Sequence, residues 1–286
     1  MPKKLTMQQI EAYRHDGFYF PINGIGEHRA VGARNDLEAY ERELGKPLTA
    51  AGREERYKLH VRLPWACNLV RAPEILDAVE DIIGPDIMVW TSTFFIKEPQ
   101  TTAITMWHQD ATYFGLRPHH HITAWIALSE ASETAGCMEF VSEGGNGRLY
   151  QHKANADPNS INGGGQTISE RFEKGKSVRG KLRMGEFSLH HTLCIHSSPP
   201  NNSMDRRIGY GISYIPASTR HIGSIPQRAM LVRGEDRFEN FIHEPFPTGD
   251  REHDANELAK SRASYNLGYA EQIKWHAEGK WDITSP

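Results

Sequence analysis

The sequence predicts a mainly β fold, an antiparallel sandwich or barrel with helical flanks. Three observations lead there. Segments 87–97, 122–128, 138–141, 187–195 and 207–215 are short and rich in β-branched and aromatic residues. Clusters of turn residues separate them. The clear helical patterns lie outside this block, upstream of residue 85.

The elements follow in order. Residues 6–16 read as a helix: Thr6 can cap it, Ile10 and Tyr13 share a face, and Gly17 stops it. Phe18-Tyr19-Phe20-Pro21 reads as a short strand ending at the proline. Residues 27–60 are mostly polar and helical in part. Residues 75–83 form a second helix, with Ile75, Leu76, Val79, Ile82 and Ile83 on a core face and Gly84-Pro85 as the terminator. The β block then runs over about 86–216. Within it, Gly144-Gly145-Asn146-Gly147 and Ile161-Asn162-Gly163-Gly164-Gly165-Gln166 bracket a polar stretch too long for a hairpin. We expect a mobile excursion or lid over about 144–180. The glycine run lacks a following Lys-Ser/Thr, so it is not a phosphate loop. The tail from Asp250 is polar and partly helical, with Trp275 and Trp281 as docking anchors. No repeat or linker interrupts the chain. The expectation is one domain over 1–286, with an N-terminal flank over 1–85 and a C-terminal flank over 217–286.

Composition narrows the function. The 286 residues hold 33 Lys+Arg against 36 Asp+Glu, a net charge of −3, which disfavours general nucleic-acid binding. No apolar run approaches the roughly 18 residues of a membrane span, and no apolar stretch follows the N-terminus as in a signal peptide. The expected setting is cytoplasmic and the expected partner a small-molecule substrate, not nucleic acid or membrane; oligomeric state is left open. Cys67, Cys137 and Cys194 form no CxxC and sit among apolar neighbours, as buried thiols do in a reducing compartment. Fifteen histidines direct attention to metal chemistry.

The sharpest local feature is Trp107-His108-Gln109-Asp110. On a strand, His108 and Asp110 point to one face. They make two thirds of a facial metal triad, and the best third ligand is His196, which ends the apolar run 187–195. Two histidines and one carboxylate leave three positions open, which suits Fe(II), O2 and a bidentate cosubstrate. Arg207 starts the next strand and shares a face with Gly209, Gly211 and Ser213. An arginine among small residues leaves room for a ligand carboxylate, which its planar guanidinium can grip.

The chain resembles the phytanoyl-CoA dioxygenase family of Fe(II)/2-oxoglutarate oxygenases. The matching residues are Trp107-His108-Gln109-Asp110, Thr123-Ala124-Trp125-Ile126-Ala127-Leu128, Gly136-Cys137-Met138, and His196-Ser197-Ser198-Pro199-Pro200-Asn201-Asn202-Ser203 followed by Arg207. The resemblance spans roughly 85–216. It implies a double-stranded β-helix (jelly-roll or cupin-like) core, iron on His108, Asp110 and His196, and 2-oxoglutarate on Arg207. It also implies Lys97, Gln109, Trp125 and Ser198 around the cosubstrate. The family's Pro-Gly-Ser-His turn is replaced here by Ser142-Glu143-Gly144-Gly145-Asn146-Gly147. Halogenating relatives carry Gly or Ala where this chain has Asp110, so hydroxylation or another halide-free oxidation is implied.

Two stretches, 206–216 and 232–236, resemble a bacterial branch that includes organophosphonate hydroxylases and natural-product tailoring enzymes. A small zwitterionic substrate needs cationic donors. Arg62, Tyr113 and Asn146 are the candidates carried forward; Arg220 is weaker, and His119-His120-His121 reads as a solvated loop. His190 and His191 alternate, so one faces inward. The alternatives are a non-catalytic metal- or ligand-binding β-helix protein and a zinc hydrolase on the same triad.

Overall fold

The computed structural model describes residues 2–142, 147–154, 157–162 and 166–279. In chain order the strands are β1 (Phe18–Asn23), β2 (Ile87–Lys97), β3 (Thr105–His108), β4 (Leu116–Arg117), β5 (Ile122–Ala127), β6 (Met138–Val141), β7 (His152–Ala154), β8 (Gln166–Ile168), β9 (Ser177–Gly180), β10 (Glu186–His191), β11 (Ile195–Ser198), β12 (Arg207–Pro216), β13 (Arg220–His221), β14 (Arg228–Arg233) and β15 (Ile242–His243). The helices are α1 (Met7–Asp16), α2 (Gly26–Leu44), α3 (Pro64–Val70), α4 (Pro73–Ile83) and α5 (Arg251–Ala277).

Eleven of the strands divide between two main sheets, and β13-β4 and β7-β8 form two separate pairs. The larger has the order β1-β10-β5-β12-β2-β14-β15, and the smaller β3-β11-β6-β9. Successive strands cross between them: β10 lies in the larger sheet, β11 in the smaller, β12 in the larger again. This alternation is that of a jelly roll. It splits the apolar run 187–195, which the sequence suggested as one strand, at the turn over 192–194.

Alternation along β12 sorts its two faces. Ile208, Tyr210, Ile212 and Tyr214 are fully buried in a core shared with Ile75, Leu76 and Val79 of α4 and Leu37 of α2. Arg207, Gly211 and Ser213 line a cavity on the other face. Helices therefore cover the outside of the larger sheet and leave its inner face for chemistry.

The helix ends follow local rules. Thr6 Oγ1 accepts from Gln9 N–H while Gln9 Oε1 accepts from Thr6 N–H, a reciprocal cap that fixes the start of α1. Gly17 closes it at φ 79°. Strand β1 continues past Pro21, against expectation, because it is an edge strand whose register shifts between Tyr19 and Ile22. The polar excursion is shorter than expected: β7 pairs with β8 as a hairpin, and β9 already belongs to the smaller sheet. Helix α5 is one continuous element that buries Leu258, Ser261, Tyr265, Tyr269 and Gln272. Trp275 is only half-buried, and Trp281 lies outside the described residues. Among the described residues, no helix is long and apolar enough to cross a membrane. All three cysteines are buried and free.

A buried ionic cluster ties α5 to the larger sheet. Lys58 Nζ donates to Glu244 Oε1 at 2.6 Å, and both side chains are essentially inaccessible. Ser261 of α5 also donates to Glu244. His60 bridges Glu244 to Ser92 of β2. Lys58→Met leaves the Glu244 carboxylate buried without its strongest partner and is expected to cost about 3–5 kcal/mol. The midpoint of urea unfolding reads this; an unmoved midpoint would discount the pair.

Candidate metal centre and active site

The smaller sheet sets the two histidines against each other. His108 ends β3 and His196 lies on β11, directly opposite in register. His108 Nδ1 donates to the Met106 carbonyl at 2.8 Å, and His196 Nδ1 to the Cys194 carbonyl at 3.0 Å. A carbonyl only accepts, so each ring carries its proton on Nδ1 and presents a bare Nε2. Asp110 Oδ1 lies 3.6 Å from His108 Nε2 and 3.8 Å from His196 Nε2. One ligand atom from each of the three residues falls within 4.8 Å of the others. The local route differs from the simple strand reading. Strand β3 stops at His108, and Asp110 opens a 3-10 turn over Asp110–Tyr113.

The larger sheet holds the carboxylate from the other side. Thr123 Oγ1 on β5 donates to Asp110 Oδ2 at 2.8 Å, and His190 Nε2 on β10 lies 3.4 Å from the same oxygen. Burial pushes the Asp110 carboxyl up, but the neighbouring imidazoles of His108, His190 and His196 outweigh it and hold the group well below the usual range. Burial, with His108 and His190 beside it, drives His196 well below its ordinary value. A charged carboxylate and neutral imidazoles are the protonation states that metal ligation requires. Two imidazole nitrogens and one carboxylate oxygen on one side of a pocket fit ferrous iron with open positions.

Beyond the triad, β12 presents Arg207. Its side chain is 1% exposed. Nη1 donates to the Gly136 carbonyl at 3.2 Å, while Nε and Nη2 have no partner. No carboxylate pairs with it among the described residues, and burial pushes its pKa down to about 10. The guanidinium carbon lies 5.2 Å from the centroid of the Trp125 ring. Position 209 must be glycine for this: a Cβ there would stand 1.7 Å from a Trp125 ring atom. Lys97 is the cross-strand partner of Arg207. Its Nζ donates to Ser198 Oγ at 2.7 Å and to the Ser198 and Pro199 carbonyls. Burial, and secondarily Arg207, lower the Lys97 pKa to about 6.

Of the eight residues expected around iron and cosubstrate, His108, Asp110, His196, Trp125, Ser198 and Arg207 line one cavity. That cleft encloses about 980 Å3, its open mouth included. Lys97 backs it through Ser198. Gln109 does not face it. The Gln109 amide donates to the Arg148 and Leu193 carbonyls and accepts from Tyr150 N–H, which ties the loop before β7 to the core. The substrate candidates are also elsewhere. Arg62 lies over the Tyr40 ring, and Tyr113 packs edge-on against Tyr269 and His276. Arg220 is exposed, and Asn146 lies outside the described residues. His121 is buried, not solvated, with Nδ1 2.9 Å from Thr192 Oγ1. Of the alternating pair, His190 is the inward one.

Thr123 and His190 were legible as site residues only in part. Thr123 shares its strand face with Trp125, which is a usable signal. The cavity also takes Arg56, Tyr57, Phe114, Tyr265 and Tyr269, which no motif marked.

Comparison with known proteins agrees with this geometry. The family model described as phytanoyl-CoA dioxygenase (PhyH) matches residues 13–209. A probable alpha-ketoglutarate-dependent hypophosphite dioxygenase of Stutzerimonas stutzeri is 27% identical over 189 residues, 63% of this chain and 65% of the relative, so the match spans just under two thirds of that protein. The peroxisomal phytanoyl-CoA dioxygenase of Homo sapiens is 26% identical over 76% of this chain and 70% of its own. Among solved structures, the non-heme monooxygenase ThoJ superposes with a TM-score of 0.82 at 27% identity, over 93% of this chain and 99% of that one. CytC3 with Fe(II) and alpha-ketoglutarate shares the fold, with a TM-score of 0.62 at 18% identity over 84% of this chain and 93% of that one. These likenesses bear out a double-stranded β-helix core. A match that begins in α1, passes through His108, Asp110 and His196 and takes in Arg207 covers well over half the residues, and it makes this chain a member of the phytanoyl-CoA dioxygenase family of Fe(II)/2-oxoglutarate-dependent, O2-using oxygenases.

Proposed function

We propose that this protein hydroxylates a C–H bond of a small organic molecule, coupled to decarboxylation of 2-oxoglutarate. One oxygen atom of O2 enters the new C–OH and the other enters succinate, with loss of CO2. The observation that carries this reading is the buried, half-satisfied Arg207 guanidinium beside the triad. A cation removed from water without a counter-charge calls for an anionic ligand. A dicarboxylic keto acid supplies one, and at its other end it supplies a bidentate donor for iron.

His108, Asp110 and His196 would hold the iron, which supplies the O2-activating chemistry when bound. Arg207 takes the far carboxylate of the cosubstrate, stacked on Trp125. Lys97 orients Ser198 toward the same group. Thr123 and His190 keep the Asp110 carboxylate turned to its ligand position. Asp110 occupies the place that a halide would need, which supports hydroxylation or another halide-free oxidation. We read the flanks and core as one domain, because α5 closes the cavity that the sheets open.

The class of substrate is the finer question. The Stutzerimonas relative acts, by its description, on a phosphorus oxyanion, which favours the organophosphonate class. The cavity favours tailoring chemistry on an organic skeleton. Past Arg207 it offers one guanidinium, Arg56, against the rings of Tyr57, Phe114, Tyr265 and Tyr269.

The oxygenase reading has a direct test. Anaerobic addition of Fe(II) and 2-oxoglutarate is expected to give a visible charge-transfer band, because the keto acid chelates the metal. A zinc hydrolase or a non-catalytic scaffold gives none. No band, together with no succinate above an iron-free control, would refute the proposal.

A further inference from the structure

The cavity has two ends, and the family motifs account for one of them. Along its inner face β12 runs from Arg207 to Ser213, about 20 Å of strand. The Arg207 end is the cosubstrate end. Ser213 lies opposite Thr91 of β2, and both line the far end. Rings close that end: Tyr57, Phe114, and Tyr265 and Tyr269 of α5.

The rings from α5 are fixed in place. Tyr265 and Tyr269 stand one helical turn apart with near-parallel planes, at 5.9 Å between centroids and 20° between planes. Tyr57 lies 5.4 Å and Phe114 6.4 Å from the Tyr265 ring. Tyr269 Oη bonds Gln166 Oε1 at 3.2 Å, which joins α5 to the hairpin strand β8 at the cavity wall. One turn before Tyr265, Ser261 grips the buried Glu244, and Lys58 Nζ of the same cluster sits 5.8 Å from the Tyr265 ring centroid. The wall is thus held from behind by an ion pair and in front by a hydrogen bond.

Its chemistry is selective. Flat π faces dominate, and Arg56 is the one cation among the described lining residues of this end. Asp110, already committed to the triad, is the one carboxylate that lines the cavity among those residues. A protonated amine on the substrate has no free carboxylate to meet. Thr91 Oγ1 is buried at the same end and has no partner, so a polar group is awaited there.

We propose that α5 is the substrate-selecting wall, and that Tyr265 and Tyr269 stack a flat, ring-bearing organic substrate carrying a single anionic group toward Arg56. This rests on the oxygenase reading for what happens to the substrate, but not for its binding. Saturation-transfer NMR on the full-length, metal-free protein tests it, with indole-3-acetate and 2-aminoethylphosphonate as probes. Calorimetric 2-oxoglutarate titration of the same samples reports on the Arg207 end alone.

Indole-3-acetate is expected to bind the wild type more tightly than 2-aminoethylphosphonate does. Tyr265→Leu and Tyr269→Leu should weaken it about tenfold, and Tyr269→Phe, which keeps the ring, by no more than about twofold. Affinity for 2-oxoglutarate should stay within about twofold in all of them. If a leucine variant does not fold, wild-type protein with ring-deuterated tyrosine gives the same answer: the probe signal transferred from tyrosine rings disappears. The proposal falls if the aminophosphonate binds better, if leucine leaves indole-3-acetate affinity unchanged, or if tyrosine deuteration leaves its signal intact. Tyrosine-dependent probe binding in a protein that ignores 2-oxoglutarate would sink the oxygenase reading and keep the wall.

Discussion

Replacing Asp110 with alanine abolishes substrate-dependent succinate formation and weakens Fe(II) binding by more than about 100-fold, a loss beyond that of a partner outside the ligand set. The size follows from charge. Asp110 is the one anionic donor of the triad, and it stands among His108, His190 and His196. Without it, the His108 and His196 nitrogens would hold a divalent cation with no protein charge to offset it. Asp110→Asn separates charge from packing. The amide keeps the volume and an oxygen for the Thr123 hydroxyl, so folding is retained while iron affinity still falls. Anaerobic calorimetry with Fe(II) and chromatographic assay of succinate check both variants. Full iron affinity in either would remove the proposed centre.

Arg207→Met raises the concentration of 2-oxoglutarate needed for half-maximal turnover by at least about 30-fold, the cost of truncating one partner of a buried charge pair. The same change does not destabilise the ligand-free protein. Its guanidinium is buried with two unpaired nitrogens, and an apolar side chain of similar length relieves that cost. Wild-type protein should therefore melt higher with 2-oxoglutarate, and the variant should not respond. A structural arginine would give the reverse, a lower melting temperature without ligand and an unaltered cosubstrate requirement. Because burial brings the guanidinium pKa only to about 10, it stays charged across pH 7–9. Cosubstrate affinity should hold through that window and decline above it.

The β block and the iron-type centre were legible because each was written in a short, periodic stretch. Strand β2 covers the expected 87–97, and the small-residue face of β12 announced the space beside Arg207. His108 and Asp110 converged even though the strand ended between them, because the following turn carries the carboxylate back to the same side. Gln109 misled because position beside a ligand says nothing about which way an amide points once backbone groups nearby need partners. The wall of α5 was illegible for a physical reason. Its buried positions include Asp254, Ser261, Gly268 and Gln272 beside the tyrosines, so no apolar stripe marks the inward face. That face is polar because it meets a carboxylate and an open cavity where most helices meet hydrocarbon.

The family match ends at residue 209, and α5 begins at Arg251. Of the wall proposed to select the substrate, Tyr265 and Tyr269 lie beyond the matched stretch, while Arg56, Tyr57, Thr91 and Phe114 lie within it. Sequence drift in the distal stretch can retune which molecules are admitted without disturbing the oxidant's housing, so annotation transferred from the matched region alone carries the reaction across but not the metabolite.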